Sequence, residues 1–402
     1  MKITNLSLAA IAVVAMTTGA MADVDMKIGG QTVIYYQTDD AGTHDLLNEN
    51  ASSANGGIQL DVTADIGHGY GLGFQGTALT TYGLEGNLVD GVRQSGLTHN
   101  GDTADGANYF TFTKAYMTKK VANTTLKFGR QALPKSLSPF AFSEGWNVFK
   151  NTFDAIVAKN TDIQDTTLVG AYVSRSNRHG NFNVFGALDG TASQANGQNK
   201  GAYMLTAKNQ SLAGITPTLS YYQLPSSAKA YWLDVDFNMN KLASVPVSVA
   251  LQGGQILPNA SAARDSKAVG LKVSGKAGLA KISVAYSKTN NGTVATNNLG
   301  TGVKTPLYTQ MIANQNDIKR DAEATTLKVS LPVGAGKLSA KYGMTKDNLN
   351  NNSDVQELDV VYKFKALGTN ILAALISTKA DDKVYNGDDT RNIARVWARY
   401  NF

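Results

Sequence analysis

The segment IARVWARYNF, residues 393–402, alternates two kinds of side chain with a period of two. Successive side chains of an extended strand point to opposite faces, so this segment has one apolar face and one polar face. The apolar face consists of Ala394, Val396, Ala398, Tyr400 and Phe402. The polar face carries Arg395 and Arg399. An alternating strand that ends in an aromatic residue indicates the closing strand of an outer-membrane β-barrel.

The same alternation recurs in other parts of the chain, most clearly at 58–66, 231–239 and 358–364. A helix over 231–239 would place Asp234 and Asp236 on different faces and would form no apolar stripe. A barrel strand gives both carboxylates a wet lumen and leaves the apolar residues for lipid. The sequence therefore predicts an all-β chain that forms a transmembrane antiparallel barrel.

The connections between the alternating segments are short and long in turn, as in bacterial barrels with short periplasmic turns and long extracellular loops. The predicted short turns lie at 67–69, 121–124, 161–165, 210–215, 240–245, 277–280, 334–337 and 365–369. The predicted long loops lie at 39–56, 81–107, 131–152, 176–199, 257–266, 290–322, 347–354 and 380–390, and the outer connection 224–228 is short. The segments number about 18, or about 16 if some are miscounted, and a barrel of that size keeps an open aqueous channel. The segment 181–189 is the least certain, since it could pair within its own loop.

Residues 1–22 have the three regions of a secretory signal peptide, which are the positive Lys2, an apolar stretch from Leu6 to Met16, and Ala20-Met21-Ala22 before the cleavage point. We expect residues 23–402 to form a single barrel domain. The chain has no cysteine, which excludes disulfides, thiolate metal sites and a lipid anchor on cysteine. Its net charge of +6 is mild for 402 residues and does not indicate nucleic-acid binding.

The third outer loop, 131–152, is unusually apolar and aromatic for a loop. It contains Phe140, Phe142, Trp146 and Phe149. Aromatic side chains of this size need a surface that covers them. Folding of the loop into the lumen supplies that surface and narrows the pore, which is the interpretation we favour. Docking of the aromatic residues on neighbouring subunits, or at the rim, is the alternative.

Strand parity predicts which charged side chains line the pore. Leu126 and Phe128 face lipid, so Lys127 faces the lumen. Arg130 has the parity of Phe128 but lies at the strand end, where the chain turns inward. The candidate lining and constriction residues are Lys127, Arg130, Lys135, Glu144, Lys150, Asp234, Asp236, Lys272, Lys328, Glu357, Asp359, Lys363, Arg395 and Arg399. Opposed charges would set up a transverse field that orients polar solutes, although each residue alone is equally compatible with a solvated wall position.

Sites for catalysis or cofactors are not evident in the sequence. The four histidines, at 44, 68, 99 and 179, are dispersed, and the glycine-rich segment 67–73 lacks the Lys-Ser/Thr pair of a phosphate loop. No nucleophile–base pair stands out, so we expect no enzyme activity and no cofactor. The acidic pair Asp388–Asp389 could bind Ca²⁺ through oxygen ligands.

The segment TLKFGRQA, residues 125–132, resembles the strand before the constriction loop in OprD-like and epsilonproteobacterial porins, a family that includes the Campylobacter major outer membrane protein. The segments 113–117, 153–156 and 160–163 resemble the same family, as do the last ten residues. This resemblance implies an 18-stranded barrel that is usually trimeric and passes small hydrophilic solutes. It also implies that Arg130 lies near the narrowest point.

The sequence thus predicts an outer-membrane porin that lets ions and small hydrophilic solutes diffuse passively, with copies of itself and lipids as partners. Two alternatives remain open. The first is a substrate-selective channel with an internal binding site. The second is a structural or adhesive surface protein that uses the long loops 81–107 and 290–322. The positive net charge favours anions only if the excess charge lines the lumen.

Overall fold

The computed structural model describes residues 25–80, 82–84, 88–89, 109–177, 185–189, 200–349, 353–381 and 389–402. The predicted signal peptide and most of the loop 81–107 lie outside these ranges. In the ranges that are described, no helix has the length and apolar character needed to cross a membrane.

Nineteen strands are found in the described ranges. They are β1 (Asp25–Asp39), β2 (Ser52–Asp65), β3 (Tyr70–Thr80), β4 (Tyr109–Val121), β5 (Thr124–Gln131), β6 (Phe153–Asn160), β7 (Thr166–Asn177), β8 (Phe185–Ala187), β9 (Ala202–Asn209), β10 (Ile215–Leu224), β11 (Ala228–Asn238), β12 (Val247–Pro258), β13 (Ser266–Ala277), β14 (Ala280–Thr289), β15 (Ala322–Val333), β16 (Gly336–Asp347), β17 (Ser353–Ala366), β18 (Thr369–Ala380) and β19 (Thr390–Asn401). One short helix, α1 (Met239–Ala243), caps the turn between β11 and β12.

Eighteen of these strands form a closed antiparallel barrel. Each strand pairs with the next, and β19 closes the ring by pairing with β1 from Gln31–Asn401 to Asp39–Ile393. The three-residue strand β8 stands outside the ring, because β7 pairs directly with β9. The predicted count of about 18 strands is therefore confirmed, and the described part of the segment 181–189, residues 185–189, contains only β8. The predicted alternation of short turns and long connections is confirmed as well.

The two faces of the wall follow the predicted parity. On β11, Leu233 is 43% exposed while its neighbour Trp232 is 1% exposed. On β19, Val396 is exposed and Arg395 and Trp397 are buried. An outer surface of exposed Leu, Val, Ile and aromatic side chains suits hydrocarbon, whereas a water-soluble protein rarely exposes so large a continuous apolar area.

The hydrophobic core of the molecule lies inside the barrel. One cluster of buried side chains contains Phe140, Tyr222, Trp232, Leu307 and Ile318. A second cluster contains Tyr35, Phe149, Ile312 and Trp397. Each cluster combines wall residues with residues of two long connections. We call residues 132–152 the first inner loop and residues 290–321 the second inner loop.

The second inner loop runs into the barrel, which corrects the prediction of a long outer loop at 290–322 and argues against the alternative in which this loop contacts partners. Its Leu307 and Ile318 are each only 1% exposed, because they pack on the inner wall and the first inner loop. The wall makes room with small residues. A Cβ atom at Gly343 would overlap the Met311 sulfur, and one at Gly57 would lie 2.6 Å from the Phe149 ring. Larger side chains at these two positions would push the inner loops away from the wall.

Candidate functional site: a lumen narrowed by two loops

The first inner loop is attached to opposite parts of the wall. At one end, the Phe140 ring packs edge-on against Tyr222 and Trp232, with centroids 5.4 and 5.2 Å away. At the other end, the Trp146 ring packs edge-on against Trp397 at 5.6 Å. The aromatic residues of this loop therefore find their cover inside the barrel. The prediction that 131–152 folds into the pore is confirmed.

Two arginines of the last strand hold the first inner loop by its backbone. The Arg395 Nη1 donates to the Trp146 carbonyl at 3.2 Å, and the Arg399 Nη2 donates to the Val148 carbonyl at 2.9 Å. Arg395 also donates to the Gln37 side chain of β1, at 2.6 and 2.9 Å. Both arginines face inward as predicted. They act first as supports of the loop, and Arg395 is only 5% exposed to the water of the lumen.

The second inner loop is held by acidic residues that parity had placed in the pore. The backbone N–H of Ala313 donates to Glu357 at 2.8 Å, and that of Ile312 donates to Asp359 at 3.3 Å. The Tyr308 hydroxyl donates to Asp234 at 3.3 Å. Glu357 and Asp359 face inward, but the loop covers them, and they are 2% and 4% exposed. These bonds hold both carboxylates against the loop, and Asp359 also borders a cavity of the lumen.

Glu144 joins the two inner loops. Its Oε1 accepts from the Asn298 Nδ2 at 2.7 Å, from the Lys304 backbone N–H at 3.3 Å and from the Thr301 hydroxyl. The Asn298 side chain also bridges to the backbone of Phe142 at 2.9 and 3.1 Å. Glu144 is 5% exposed, so at the constriction, where it was predicted to lie, it mainly stabilises the contact between the two loops. The two loops form one interlocked partition across the lumen.

Three neighbouring spaces lie beside the partition. A cavity of about 730 Å³ lies beside β1–β4 and β17–β19 and is lined by Lys150, Lys363 and Arg399 among others. A cavity of about 410 Å³ lies between the loops and β15–β17. Its charged lining residues are Lys135, Lys304, Lys328, Lys341 and Lys363 together with the carboxylates Glu144 and Asp359, and Trp146 borders it as well. A third space of about 320 Å³, along β13–β16, shares Lys328 and Lys341 with the second. The spaces share lining residues, so they lie next to one another along this wall, and together we call them the passage.

Lysine is the predominant charged residue along this passage. The register places Lys328 of β15 directly opposite Lys341 of β16, and Lys337 of β16 opposite Lys363 of β17. Lys272 stands over the Tyr308 ring at 4.3 Å, and Lys363 over the Trp146 ring at 5.5 Å. We define the lysine wall as Lys272, Lys281, Lys328, Lys337, Lys341 and Lys363. Like charges on adjacent strands repel each other, so the lysine wall is electrostatically unfavourable when no anion is present. A passing anion offsets this repulsion and is therefore attracted to the wall.

The remaining candidates are distributed around the barrel. Lys127 faces inward, with its ammonium 3.6 Å from the Tyr116 ring centre, and Lys150 is exposed in the cavity of about 730 Å³. Asp236 has the inward parity of Asp234 and is more exposed. Asp388 lies outside the described residues, and Asp389 forms an ion pair of 2.8 Å with Lys379. Only part of the predicted set therefore meets along the lysine wall.

Arg130 does not lie at the constriction, which corrects the prediction for this residue. It keeps the outward parity of Phe128 and pairs with Asp154 of β6 at 2.8 Å. Its Nη1 donates to the Phe112 carbonyl at 2.8 Å, and its guanidinium stacks on the Phe185 ring at 3.5 Å. Strand parity, which assigns Arg130 to the outer face, is therefore correct, and the chain turns into the lumen only after Gln131.

Sequence reasoning missed the second inner loop and the lysines Lys281, Lys304, Lys337 and Lys341. The sequence did contain a signal for the inward position of the second inner loop. The loop 290–321 contains Leu307, Met311, Ile312 and Ile318, so the argument from apolar content applies to it as it does to 131–152. Parity also places Lys281, Lys337 and Lys341 on the inner face of β14 and β16.

Two lysines of the inner loops are expected to make ion preference depend on pH. Burial lowers the pKa of Lys135 and the pKa of Lys304 to about 8 each, since desolvation disfavours the charged ammonium. Both are charged below that pH and lose their charge above it. Between about pH 7 and about pH 9, the zero-current potential in a salt gradient should shift toward cation preference. A potential that stays constant over this range in the wild type would contradict this assignment.

Loss of the arginine supports should loosen the first inner loop. We expect Arg395→Met/Arg399→Met to give noisier single-channel currents and a mean conductance raised by up to about twofold, because two charge-assisted bonds to loop carbonyls are lost. Arg391→Met, which removes an arginine of the same strand that binds Asp39 at 3.1 Å, is the matched control. If the double variant gives currents as quiet as those of the wild type, the aromatic contacts of the first inner loop are sufficient to hold it in place.

Comparison with known proteins identifies the family. The family model described as Gram-negative porin matches residues 8–383, which is most of the chain. This chain is a member of the Gram-negative porin family. As such a porin it forms a channel for small solutes in the outer membrane. A search of curated proteins found no match.

Solved structures show the same barrel. The porin resembles Pseudomonas aeruginosa OccK3 (OpdO), with a TM-score of 0.72 and 12% identity, over 94% of this chain and 96% of that one. It resembles P. aeruginosa OpdK, crystallised with vanillate, with a TM-score of 0.74 and 14% identity, over 94% and 98% of the two chains. For Acinetobacter baumannii OccAB3 the TM-score is 0.73 and the identity 14%, over 94% and 99%. At these identities the likeness shows the fold alone.

Proposed function

We propose that this porin is a passive diffusion channel that favours small anions over cations. The observation that carries the proposal is the lysine wall, which lines the passage on one side of the inner loops. Glu357 is buried against the second inner loop, and the two carboxylates that border the cavity of about 410 Å³, Glu144 and Asp359, are only 5% and 4% exposed. The fixed charge that a solute meets along this wall is therefore mainly positive, and it attracts anions.

Conductance in planar lipid bilayers tests this proposal directly. Purified porin in a KCl gradient should give stable conductance steps and a zero-current potential of the sign for anion preference. The absence of conductance steps would contradict the proposal that the protein forms a diffusion channel. Clear steps with cation preference would leave the channel intact and contradict the role of the lysine wall.

A substrate-selective channel is the second candidate, and the cavity of about 410 Å³ favours it. There Trp146 and Phe142 supply apolar surface beside Lys328 and Lys363, a combination that suits an organic anion with an apolar body. OpdK, which shares the fold, was crystallised with vanillate, a small aromatic carboxylate. Block of the ion current by millimolar vanillate, absent with uncharged vanillyl alcohol, would favour this candidate over free diffusion.

The proposal also includes the export of the porin, its assembly and its partners. We infer export through the signal peptide 1–22, assembly into homotrimers, contact with outer-membrane lipids and the absence of enzymatic activity. A branch within the OprD-like porins close to the epsilonproteobacterial proteins is supported by the segment 125–132. No cofactor is needed for diffusion. If Asp389 takes part in a Ca²⁺ site, the ion has to compete with Lys379.

A further inference from the structure

The outer wall carries an ion cluster that the channel function does not use. Asp154 of β6 binds Arg130 of β5 at 2.8 and 3.3 Å and Arg175 of β7 at 2.7 Å. The three side chains face outward, and their formal net charge is +1. Charged groups on the lipid face of a barrel are destabilising unless they lie near the membrane interface. We therefore expect the cluster to lie near the membrane interface or to bind a partner that compensates the destabilisation caused by its charges.

A β-bulge turns Arg175 to the outer face, where Arg130 and Asp154 already lie by regular parity. In the pairing of β6 with β7, Asp154 opposes Arg175 while Ala155 opposes Val173, so Ser174 is an extra residue in a β-bulge. In a regular strand, with Ser174 paired, Arg175 would have the inward parity of Val173, which is 1% exposed. Bulges commonly redirect a side chain at functional positions. Here the bulge brings a second guanidinium to the carboxylate that Arg130 already binds.

The aromatic belt shows the height of the cluster in the membrane. Tyr172 and Tyr203 lie on the outer face with ring centres 5.1 Å apart. Tyr172 pairs with Ile156, so Asp154 lies two residues further toward the long-loop end of the barrel. Aromatic belts of barrels sit at the level of the lipid headgroups. The two guanidiniums therefore lie on the headgroup side of the belt, where lipid phosphates are found.

The surface below the cluster is a groove that fits an acyl chain. A cleft of about 470 Å³ is lined by Phe128, Ile156 and Tyr172 together with Arg130, Asp154 and Arg175. Phe128 and Ile156 are 58% and 46% exposed, and the Arg175 side chain is half exposed. The apolar part lies toward the middle of the membrane and the charges lie toward its outer surface. This polarity is that of an amphiphile with an anionic head.

We propose that the Arg130–Asp154–Arg175 cluster binds the phosphate headgroup of an outer-leaflet lipid, whose acyl chain lies in the groove on Phe128 and Ile156. The planar guanidinium binds phosphate through paired hydrogen bonds. Asp154 orients both guanidiniums, and the Phe185 ring covers Arg130. The net charge of +1 leaves an attraction for one phosphate that a balanced ion pair would lack. The site is separate from the lumen, so its occupancy does not depend on which solutes pass.

Native mass spectrometry of the detergent-purified porin tests the site with dioleoyl phosphatidic acid as the probe. Arg175→Gln should weaken binding of the first lipid by about fivefold to tenfold, as expected for loss of a charge-assisted contact to phosphate. Lys229→Gln removes an exposed cation two residues beyond Tyr231 on the outer face and should leave the affinity unchanged. Equal affinities in both variants and the wild type, or equal losses, would overturn the proposal. Heat-modifiable mobility of each variant confirms that its barrel is folded.

Two further measurements separate other occupants of the cleft. Inorganic phosphate should not displace the lipid at equal concentration, since it lacks the acyl chain; displacement would reduce the site to one for the free ion. In membranes, a lone cysteine at Ile156→Cys should react with a lipid-phase maleimide more slowly than one at Val284→Cys on the far wall, which is 47% exposed, because the bound acyl chain lies on position 156. Protection of position 156 together with its cross-linking into dimers would show that a second copy covers the cleft, and would overturn the lipid assignment.

Discussion

Replacing three lysines of the passage should remove or invert the ion preference of the channel. For Lys272→Gln/Lys328→Gln/Lys363→Gln we expect the anion-to-cation permeability ratio to fall by about tenfold in a salt gradient. The reason is that each lysine changes the energy of a passing ion by roughly 0.5–1 kcal/mol in a water-filled passage. Increasing salt should reduce the difference between variant and wild type, because counterions screen the wall.

A matched triple substitution on the outer face controls for net charge. Lys229, Lys267 and Lys346 are exposed on β11, β13 and β16 with the parity of the lipid-facing residues. Lys229→Gln/Lys267→Gln/Lys346→Gln lowers the total charge by the same amount. Its permeability ratio should stay close to the wild-type value. Similar shifts in both triple variants would show that overall charge, and not the lysine wall, sets the preference.

The second large effect concerns the contact between the inner loops. Glu144→Ala removes the acceptor for three donors of the second inner loop, at Asn298, Thr301 and Lys304. Each buried donor left without a partner costs about 1–3 kcal/mol, so the partition should lose most of its order. We expect a mean conductance raised about twofold, with frequent transitions between levels, in single-channel recordings.

Glu144→Gln distinguishes the hydrogen bonds from the charge. All three donors reach Oε1, and glutamine keeps an oxygen at that position. The Gln variant should therefore record as quietly as the wild type. A noisy Gln variant with a quiet Ala variant would be incompatible with the role of Glu144 as an acceptor.

The barrel could be predicted from the sequence because its signal is local. The alternation at 393–402 and 231–239 gives the two faces of the wall directly, and the short turns give the order of the strands. The first inner loop could be predicted because Phe140, Trp146 and Phe149 have no other cover. These inferences need only the period of a strand and the cost of exposing an aromatic ring.

The site was harder to predict, since it depends on contacts between distant segments. Parity correctly turned Glu357 and Asp359 inward, but it could not show that the backbone of 312–313 binds both carboxylates. Arg395 and Arg399 were expected to face the solute. Both hold loop carbonyls, Arg395 is buried there, and Arg399 also lines the cavity of about 730 Å³. Parity also cannot anticipate a bulge, which is why the place of Arg175 on the outer wall follows from the structure alone.

The central claim is that the second inner loop lies inside the conducting passage, and thiol modification tests it most directly. The chain has no cysteine, so a variant Tyr308→Cys carries a single reactive thiol. A bulky, membrane-impermeant thiol reagent should reduce its single-channel current by roughly half or more, because the adduct occupies the passage beside Lys272. The same reagent on Leu47→Cys, which is 72% exposed in the loop after β1, should leave the current unchanged. An undiminished current through fully modified Tyr308→Cys channels would contradict the claim.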